Sequence, residues 1–423
     1  MKCDILVGGQ WGDEGKAKII DFLSNKYHIV CRFQGGSNAG HTVFKNGVKY
    51  VFHLLPSSVL HPQTTAVLSH GMVIYLPQLV KEIQTLEKEG ISFEGRLFIS
   101  DKAFLVMDYH LEIDKVKEQK ENKVGTTCKG IGPAYTDKYD RKGIRVGDLF
   151  DEGEVLNKIK SCLDEQKNLL KNYYQHDYLV TAEEILEKTL KDFKIIQPYV
   201  IDTTYYLNHA ISQKNILLEG AQGAGLDIDF GTYPFVTSSS PTSGGAATGT
   251  GIAVNHFQKI YGVFKAYVTR VGKGSLPTIL SNEENIQLRD KGKEFGATTG
   301  RQRSCGWFDG VQAKYSLMIN GVTDLVITKL DVFTGYKKIK FCTHYIVDGF
   351  KTDMFPPSNQ KLKKAEPVYI EFEGWEDQVY QVQTFDELHP NAQKFINYFE
   401  EYLGLRISII STGPEKQDTI VRN

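Results

Sequence analysis

Asp13, Glu14, Lys16 and Lys18 stand in one glycine-rich run, Gly8-Gly9-Gln10-Trp11-Gly12-Asp13-Glu14-Gly15-Lys16-Ala17-Lys18. Two carboxylates and two ammonium groups among glycines suit phosphate chemistry. The run joins an apolar segment, Ile5 to Val7, to an amphipathic one, Ile19 to Leu23. A turn of that kind between strand and helix aims backbone N–H groups and a helix N-terminus at an anion. The spacing departs from the Gly-x-x-x-x-Gly-Lys-Ser/Thr template, because Gln10 stands five positions before Gly15 and Ala17 replaces the hydroxyl residue. Asp13 can take the hydroxyl's role as magnesium ligand. A phosphate loop with its own carboxylate implies chemistry as well as binding.

Further along, Arg32-Phe33-Gln34-Gly35-Gly36-Ser37-Asn38-Ala39-Gly40-His41-Thr42 follows a second apolar segment. Asn38 can read a base or ribose, and His41 suits proton transfer or a hydrogen bond to phosphate. Gly125-Thr126-Thr127-Cys128-Lys129-Gly130-Ile131-Gly132-Pro133 is followed by Lys138, Arg141, Lys142 and Arg145, a set that suits a monophosphate. Gln222, in Leu218-Glu219-Gly220-Ala221-Gln222-Gly223, offers donor and acceptor together for a lactam edge, and this motif runs on to Thr237-Ser238-Ser239. Arg301 and Arg303, beside Thr298-Thr299-Gly300, form a carboxylate or phosphate clamp. Lys329-Leu330-Asp331 could cover and read guanine, and Ser411-Thr412-Gly413-Pro414 is another turn placed directly after an apolar segment.

The elements that must hold these groups read as α/β. Strand-like segments are Ile5–Val7, Ile29–Phe33, Leu97–Ser100, Ile216–Leu218, Leu325–Thr328 and Ile407–Ile410. Helical spacing recurs at Leu79, Val80, Ile83 and Leu86 before Gly90, at Val155, Ile159, Cys162 and Leu163, and at Ile185, Leu186 and Phe193. The pattern predicts a large, mainly parallel central sheet flanked by helices, with a P-loop-like turn and insertions. Residues 1–423 read as a single domain with helical and loop insertions at about 110–210. Lys115 to Lys123 reads as a solvated helix or loop. Glu219 to Gly251 reads as an ordered loop region over a site.

Net charge is −1 over 423 residues, so no general attraction to nucleic acid or membrane is expected. Apolar runs are too short to span a bilayer, and the N-terminus lacks a signal-peptide pattern. The six cysteines have no metal spacing, and reduced thiols in a cytoplasmic protein are expected.

Taken together, these motifs resemble the adenylosuccinate synthetase family from Gly8 to Gly413. The matches are Gln-Trp-Gly-Asp-Glu-Gly-Lys, Gly-Gly-x-Asn-Ala-Gly-His-Thr, Gly-Thr-Thr-x-x-Gly-Ile-Gly-Pro, Glu-Gly-Ala-Gln-Gly, Gly-Thr-Tyr-Pro-x-Val-Thr-Ser-Ser, Ala-Thr-Thr-Gly-Arg and Thr-Lys-Leu-Asp-Val. The resemblance implies a C–N ligase that converts IMP, GTP and L-aspartate to adenylosuccinate, GDP and phosphate through 6-phosphoryl-IMP, the first committed step of AMP synthesis.

It implies Asp13 as the base at N1, His41 as the acid for GDP departure, Lys16 as a charge partner of the phosphates and Gln222 as orienter of the purine edge. Mg²⁺ would sit on Asp13 and the Gly40 carbonyl. IMP would be held by Asp13, Asn38, Gly40, His41, Thr127, Gln222, Thr237 and Arg301, with Arg141 reaching the neighbouring subunit's IMP across a homodimer. Aspartate would meet Val271, Ala297, Thr298, Thr299, Gly300, Arg301, Gln302 and Arg303. GTP would meet Gly12, Asp13, Glu14, Gly15, Lys16, Ala17, Lys18, Gly40, His41, Thr42 and Arg303, with Lys329, Leu330, Asp331, Ser411, Thr412 and Gly413 reading guanine. Ala17, Ser37, Lys273, Ser275, Ile279 and Gln302 depart from the family pattern. Two alternatives stay open: a divergent paralogue that aminates another purine monophosphate such as dGMP, and a GTP-binding regulatory protein without ligase activity.

Overall fold

The computed structural model describes residues 1–422 except Asn46, Asn122, Ala297, Thr298, Thr299, Pro357 and Gln378. Ten strands form the central sheet. They are β1 (Cys3–Gly8), β2 (Ile29–Arg32), β3 (Thr65–Leu68), β4 (Leu97–Ser100), β5 (Val200–Ile201), β6 (Ile216–Glu219), β7 (Phe257–Lys265), β8 (Asp324–Thr328), β9 (Ile407–Ser411) and β10 (Thr419–Val421). Their order across the sheet is β10-β9-β8-β7-β1-β6-β2-β3-β4-β5. Every neighbouring pair is parallel except β9 with β10. All six residues of β1 are buried, as a central parallel strand covered on both faces requires.

All six expected strands fall within or overlap these elements. Four strands escape a sequence reading: β5 and β10 have only two and three residues, and β3 and β7 escape for other reasons. β3, Thr65-Ala66-Val67-Leu68, opens on two small residues directly after Pro62-Gln63-Thr64 and so offers only Val67 and Leu68 as an apolar signal, while β7 starts with partly buried Phe257 and exposed Gln258 and Lys259 before its buried second half.

The helices follow the apolar spacing. α1 (Lys16–Leu23) buries Ile19, Ile20 and Leu23 under the sheet. α2 (Leu76–Lys88) buries Leu79, Val80, Ile83 and Leu86. Four helices lie between β4 and β5: α3 (Asp108–Glu118), α4 (Ile131–Tyr139), α5 (Glu152–Tyr174) and α6 (Ala182–Ile196). Val155, Ile159, Cys162 and Leu163 are buried on α5, and Ile185 and Phe193 on α6, in one apolar cluster with α2 and α3.

The charged run 115–123 is only partly solvated, because Val116 of α3 is buried. The stretch 219–251 is ordered but is not loop throughout, since Ser243–Thr250 is a helix. Gly249 lies on Phe33 so closely that a Cβ there would meet the Phe33 carbonyl at 2.1 Å. A second, smaller sheet pairs Lys338–Val347 with Phe308–Asp309, Phe350–Thr352 and Glu366–Glu373. No helix among the described residues is long and apolar enough to cross a membrane.

Candidate active site

The chemistry-bearing loops leave the carboxyl ends of parallel strands, so they share one edge of the sheet, where ligands of open α/β sheets bind. Across that edge come Ser411–Gly413 after β9, Lys329 and Asp331 after β8, and Lys265 at the end of β7. The Asp13 loop follows β1, Glu219–Gln222 end and follow β6, and Gln34–His41 follow β2. The phosphate loop is therefore flanked on one side by the guanine-reading candidates and on the other by Gln222 and Asn38.

Inside the phosphate loop, Glu14 is fully buried and accepts from the Gln10 N–H at 3.1 Å and the Gly12 N–H at 2.8 Å. Lys16 Nζ lies 2.6 Å from Glu14 Oε2 and donates to the Gln222 carbonyl at 2.5 Å. Both contacts lock the ammonium between the β1 and β6 loops. Gln10 spans to β7, donating to the Lys265 and Tyr267 carbonyls and accepting from the Lys265 N–H. The loop is thus shaped by side chains behind it. Ala17 lies in α1 with ordinary negative φ and is 5% exposed within the apolar cluster that includes Val43 and Phe52. Its methyl is core packing and does not strain the turn.

Asp13 at φ 59° and Gln222 at φ 55° both adopt left-handed backbone, as do Cys128, Arg141 and Lys329. Such conformations cost free energy in non-glycine residues and gather at functional sites.

His41 Nδ1 lies 2.5 Å from Glu219 Oε1, and Glu219 is fully buried at the end of β6. The Ser57 hydroxyl donates to the same oxygen at 2.6 Å, and the Ser57 N–H to Oε2 at 2.9 Å. Arg32, fully buried on β2, pairs in register with Glu219. Burial and the Arg32 charge together hold the imidazole below its usual range, against the pull of Glu219. Burial pushes Glu219 up, but the His41 bond and the Arg32 charge outweigh it, so the carboxyl stays below its usual range. The pair is a neutral imidazole donating Nδ1–H to a carboxylate, and Nε2 is the nitrogen left for a ligand.

Gln34 donates to the Ala221 carbonyl at 2.7 Å and approaches Gln222 Oε1 at 3.5 Å. Asn38 Oδ1 accepts from the Gly36 N–H at 3.2 Å. Thr127 is partly exposed, in a loop shaped by Asp114, which accepts from the Thr126 hydroxyl at 2.8 Å and the Gly130 N–H at 2.9 Å. Thr237 is tied to Leu226 through its backbone N–H at 2.8 Å. Arg141 is exposed at the end of α4. Thr42 lies in the hairpin strand His41–Lys45, which pairs with Val48–Phe52.

Arg303 Nη2 lies 2.9 Å from Asp13 Oδ2, and its Nη1 donates to Glu294. Arg301 donates to the Gly125 and Thr126 carbonyls at 3.1 and 2.8 Å. The two arginines thus join their own segment to the phosphate loop and to the Thr126–Thr127 loop. Gln302 accepts from Arg289 at 2.9 Å, and Val271 is partly exposed beside buried Arg270. Ala297, Thr298 and Thr299 lie outside the described residues.

At the far end, Lys329 donates to the Gly292 carbonyl at 2.9 Å. Burial pushes the Asp331 carboxyl up. Lys18 donates to Ser411 Oγ and to the Gly413 and Asp418 carbonyls at 2.6, 2.7 and 2.7 Å, and burial lowers its ammonium to about 8. Thr412 is fully buried, with its hydroxyl unpartnered among the described residues.

A family profile described as adenylosuccinate synthetase matches residues 5–420. The chain belongs to the adenylosuccinate synthetase family. It is 47% identical to the adenylosuccinate synthetase of Chlorobaculum tepidum, covering 99% of this chain and 97% of that one. It is also 47% identical to that of a Thermoanaerobacter species, covering 100% and 99%. The solved structure of fully ligated adenylosuccinate synthetase from Plasmodium falciparum superposes with TM-score 0.94 at 38% identity, covering 99% of each chain. Cyanophage S-2L succinoaminodeoxyadenylate synthetase, solved with dGMP and dATP, shares the fold at TM-score 0.62 and 18% identity, covering 99% and 95%. The chain is therefore a C–N ligase that joins IMP to aspartate.

Around this candidate site stand residues that motif reading gave no role. Glu219 and Ser57 orient His41, Glu294 and Lys265 stand behind Arg303, and Arg32 balances Glu219. Glu219 was visible as the residue just before Gly220 at a strand end. Lys265, Ser57 and Glu294 carry no local signal, because their partners are distant in sequence. Cys305 is fully buried and Cys128 is partly exposed.

Proposed function

We propose that this chain forms adenylosuccinate from IMP and L-aspartate in two steps, phosphorylation of the IMP 6-oxygen by GTP and then displacement of phosphate by the aspartate amine. The observation that carries the assignment of roles is the Arg303–Asp13 ion pair at 2.9 Å. It joins the carboxylate of the phosphate loop to the arginine pair proposed for aspartate. In this reading Asp13 removes the N1 proton of IMP, which makes O6 a nucleophile toward the γ-phosphate. His41, with Nδ1 committed to Glu219, presents Nε2 to the phosphates; beside phosphate charge the ring takes a proton at Nε2, the Glu219 carboxylate balances the imidazolium, and Nε2–H is the acid as GDP leaves. Gln222 orients the purine edge, and Lys16 balances phosphate charge after exchanging its contacts with Glu14 and the Gln222 carbonyl.

The Asp13 carboxylate, one-third exposed, and the carbonyl of partly exposed Gly40 are hard oxygen donors of the kind Mg²⁺ takes. Two such donors suit an ion completed by phosphate oxygens and water, and Asp13 and Gly40 would hold it where it offsets charge on the transferring phosphoryl group.

Asn38, Thr127, Thr237 and Arg301 are proposed for IMP. Arg301, Gln302 and Arg303, with Val271 and residues 297–300, are proposed for aspartate. Lys329, Asp331 and the Ser411–Gly413 turn are proposed for guanine. Exposure of Arg141 at left-handed backbone supports a role across a homodimer. A sheet that takes strands from both ends of the chain supports one domain, 1–423, with an insertion at about 110–210. Six free cysteines, five of them buried, support a reducing, cytoplasmic setting.

The test is phosphate release with IMP and GTP, with and without aspartate, and product mass analysis. Aspartate-dependent release with a product of adenylosuccinate mass is expected. Turnover of dGMP but not IMP would sink the reading.

A further inference from the structure

Four side chains of alternating charge type form a chain from the protein interior out to partly exposed Asp13. Lys265, at the end of β7, is fully buried, with its ammonium 3.1 Å from Glu294 Oε1 and donating to the Thr269 hydroxyl. Glu294 is also fully buried and accepts from the Tyr267 hydroxyl at 2.5 Å. Its other oxygen takes Arg303 Nη1, and Arg303 Nη2 reaches Asp13 at 2.9 Å. The charges alternate and sum to zero, which is the arrangement that buried ions need. Burial pushes Glu294 up, but Lys265, Lys329 and Arg303 outweigh it and hold its carboxyl down to about 2.

Glu294 and Arg303 are also joined through the backbone. The Arg303 N–H donates to the Glu294 carbonyl at 3.1 Å, and Phe295 bridges to Gln302. The two residues therefore form the base of the segment that carries Arg301 and Arg303. A backbone clamp alone would fix where Arg303 begins and leave its long side chain free. The Glu294 carboxylate fixes where the guanidinium ends, because one fork nitrogen is held and the other must then face Asp13.

We infer that Glu294, braced by Lys265 and Tyr267, is the positioning residue that aims Arg303 at the meeting point of Asp13 and the amino-acid substrate. This rests on the proposed assignment of Arg303 to aspartate. Glu294 touches no substrate and acts through Arg303, while Lys265 and Tyr267 act through Glu294. The same anchor explains a fully buried lysine at the carboxyl edge of the sheet, which no substrate role accounts for.

The test compares steady-state kinetics of the full-length wild type with Glu294→Gln, Lys265→Met/Glu294→Gln and Tyr267→Phe, each with a thermal melt. Glu294→Gln keeps the shape and loses the charge. Its KM for aspartate should rise about tenfold or more, the fold-change of one charge-assisted hydrogen bond, with the KM values for IMP and GTP within about twofold of wild type. Lys265→Met/Glu294→Gln removes the stranded lysine charge as well, so it should recover the melting temperature but not the aspartate KM. Tyr267→Phe leaves all four charges and removes only one of the bonds that brace Glu294, so it should raise the aspartate KM by about threefold, less than loss of the carboxylate itself; it serves if the other variants do not fold.

An unchanged aspartate KM in a folded variant overturns the inference, as does a parallel rise in all three KM values or recovery of the aspartate KM in the double variant. If the wild type releases no aspartate-dependent phosphate, the parent reading falls and this one with it. If the wild type turns over and only the variants fail to separate the substrates, this inference alone falls.

Discussion

His41 Nδ1 and Glu219 Oε1 lie 2.5 Å apart, inside a pocket where Glu219 is fully buried and also takes both the N–H and the hydroxyl of Ser57. With both carboxylate oxygens occupied, Glu219 has one way to face the ring, and the ring has one tautomer. The relationship fixes which nitrogen is available for phosphate before any substrate arrives.

Glu219→Gln tests this directly. The amide must turn an N–H₂ toward either His41 or the Ser57 N–H, so the ring loses its fixed orientation. We expect kcat to fall about a hundredfold, the low end of what a positioned acid or base contributes, with substrate KM values little changed. Steady-state phosphate release checks it. A kcat within twofold of wild type would remove Glu219 as the orienting group.

Asp13 is better probed with asparagine than alanine. Its backbone is left-handed at φ 59°, a conformation asparagine tolerates and alanine pays about 1–2 kcal/mol to adopt. Asp13→Asn should keep the melting temperature and IMP binding while lowering turnover about a thousandfold or more, the range of a lost general base. Calorimetric IMP titration alongside the activity assay separates the two effects. Near-normal turnover would remove Asp13 as the base.

Ala17 shows how far the sequence could be read and where it stopped. Its place in a phosphate loop was legible, but the sign of its φ was not, and that sign decides whether a methyl is strain or packing. The helix begins at Lys16, so Ala17 is already helical and its methyl joins the core. Ala17→Gly should therefore destabilise the fold by about 0.5–1 kcal/mol. Denaturant unfolding measures this, and a gain in stability would contradict the packing account.

The same contrast runs through the site. Asp13, His41, Gln222 and Asp331 were legible because each lies in a recognisable short motif that follows an apolar strand, and parallel strands bring such segments to one edge. Lys265 and Glu294 were not legible. A lysine ending a half-polar strand reads as surface, and only the fold, across 29 positions, gives it a buried carboxylate. Ser57 was silent for the same reason, since its partner Glu219 lies 162 positions away.

Lys18 yields a prediction in pH. Its three donors are matched by three acceptors, Ser411 Oγ and the Gly413 and Asp418 carbonyls, so the protonated amine shapes the turn proposed to read guanine. Burial lowers its pKa to about 8, so the full set of bonds is present below that pH and one is lost as pH rises through it. The KM for GTP should rise about two- to tenfold across pH 8, the worth of one hydrogen bond, while the KM for aspartate does not follow it. Lys18→Arg stays charged throughout and should lack the step. The stability effect has the opposite sign. The folded pKa lies below the unfolded value of 10.5, so the cost of burying the charge is fully present at pH 7 and fades between about 8 and 10.5. A step in GTP affinity that persists in Lys18→Arg would assign it to another group.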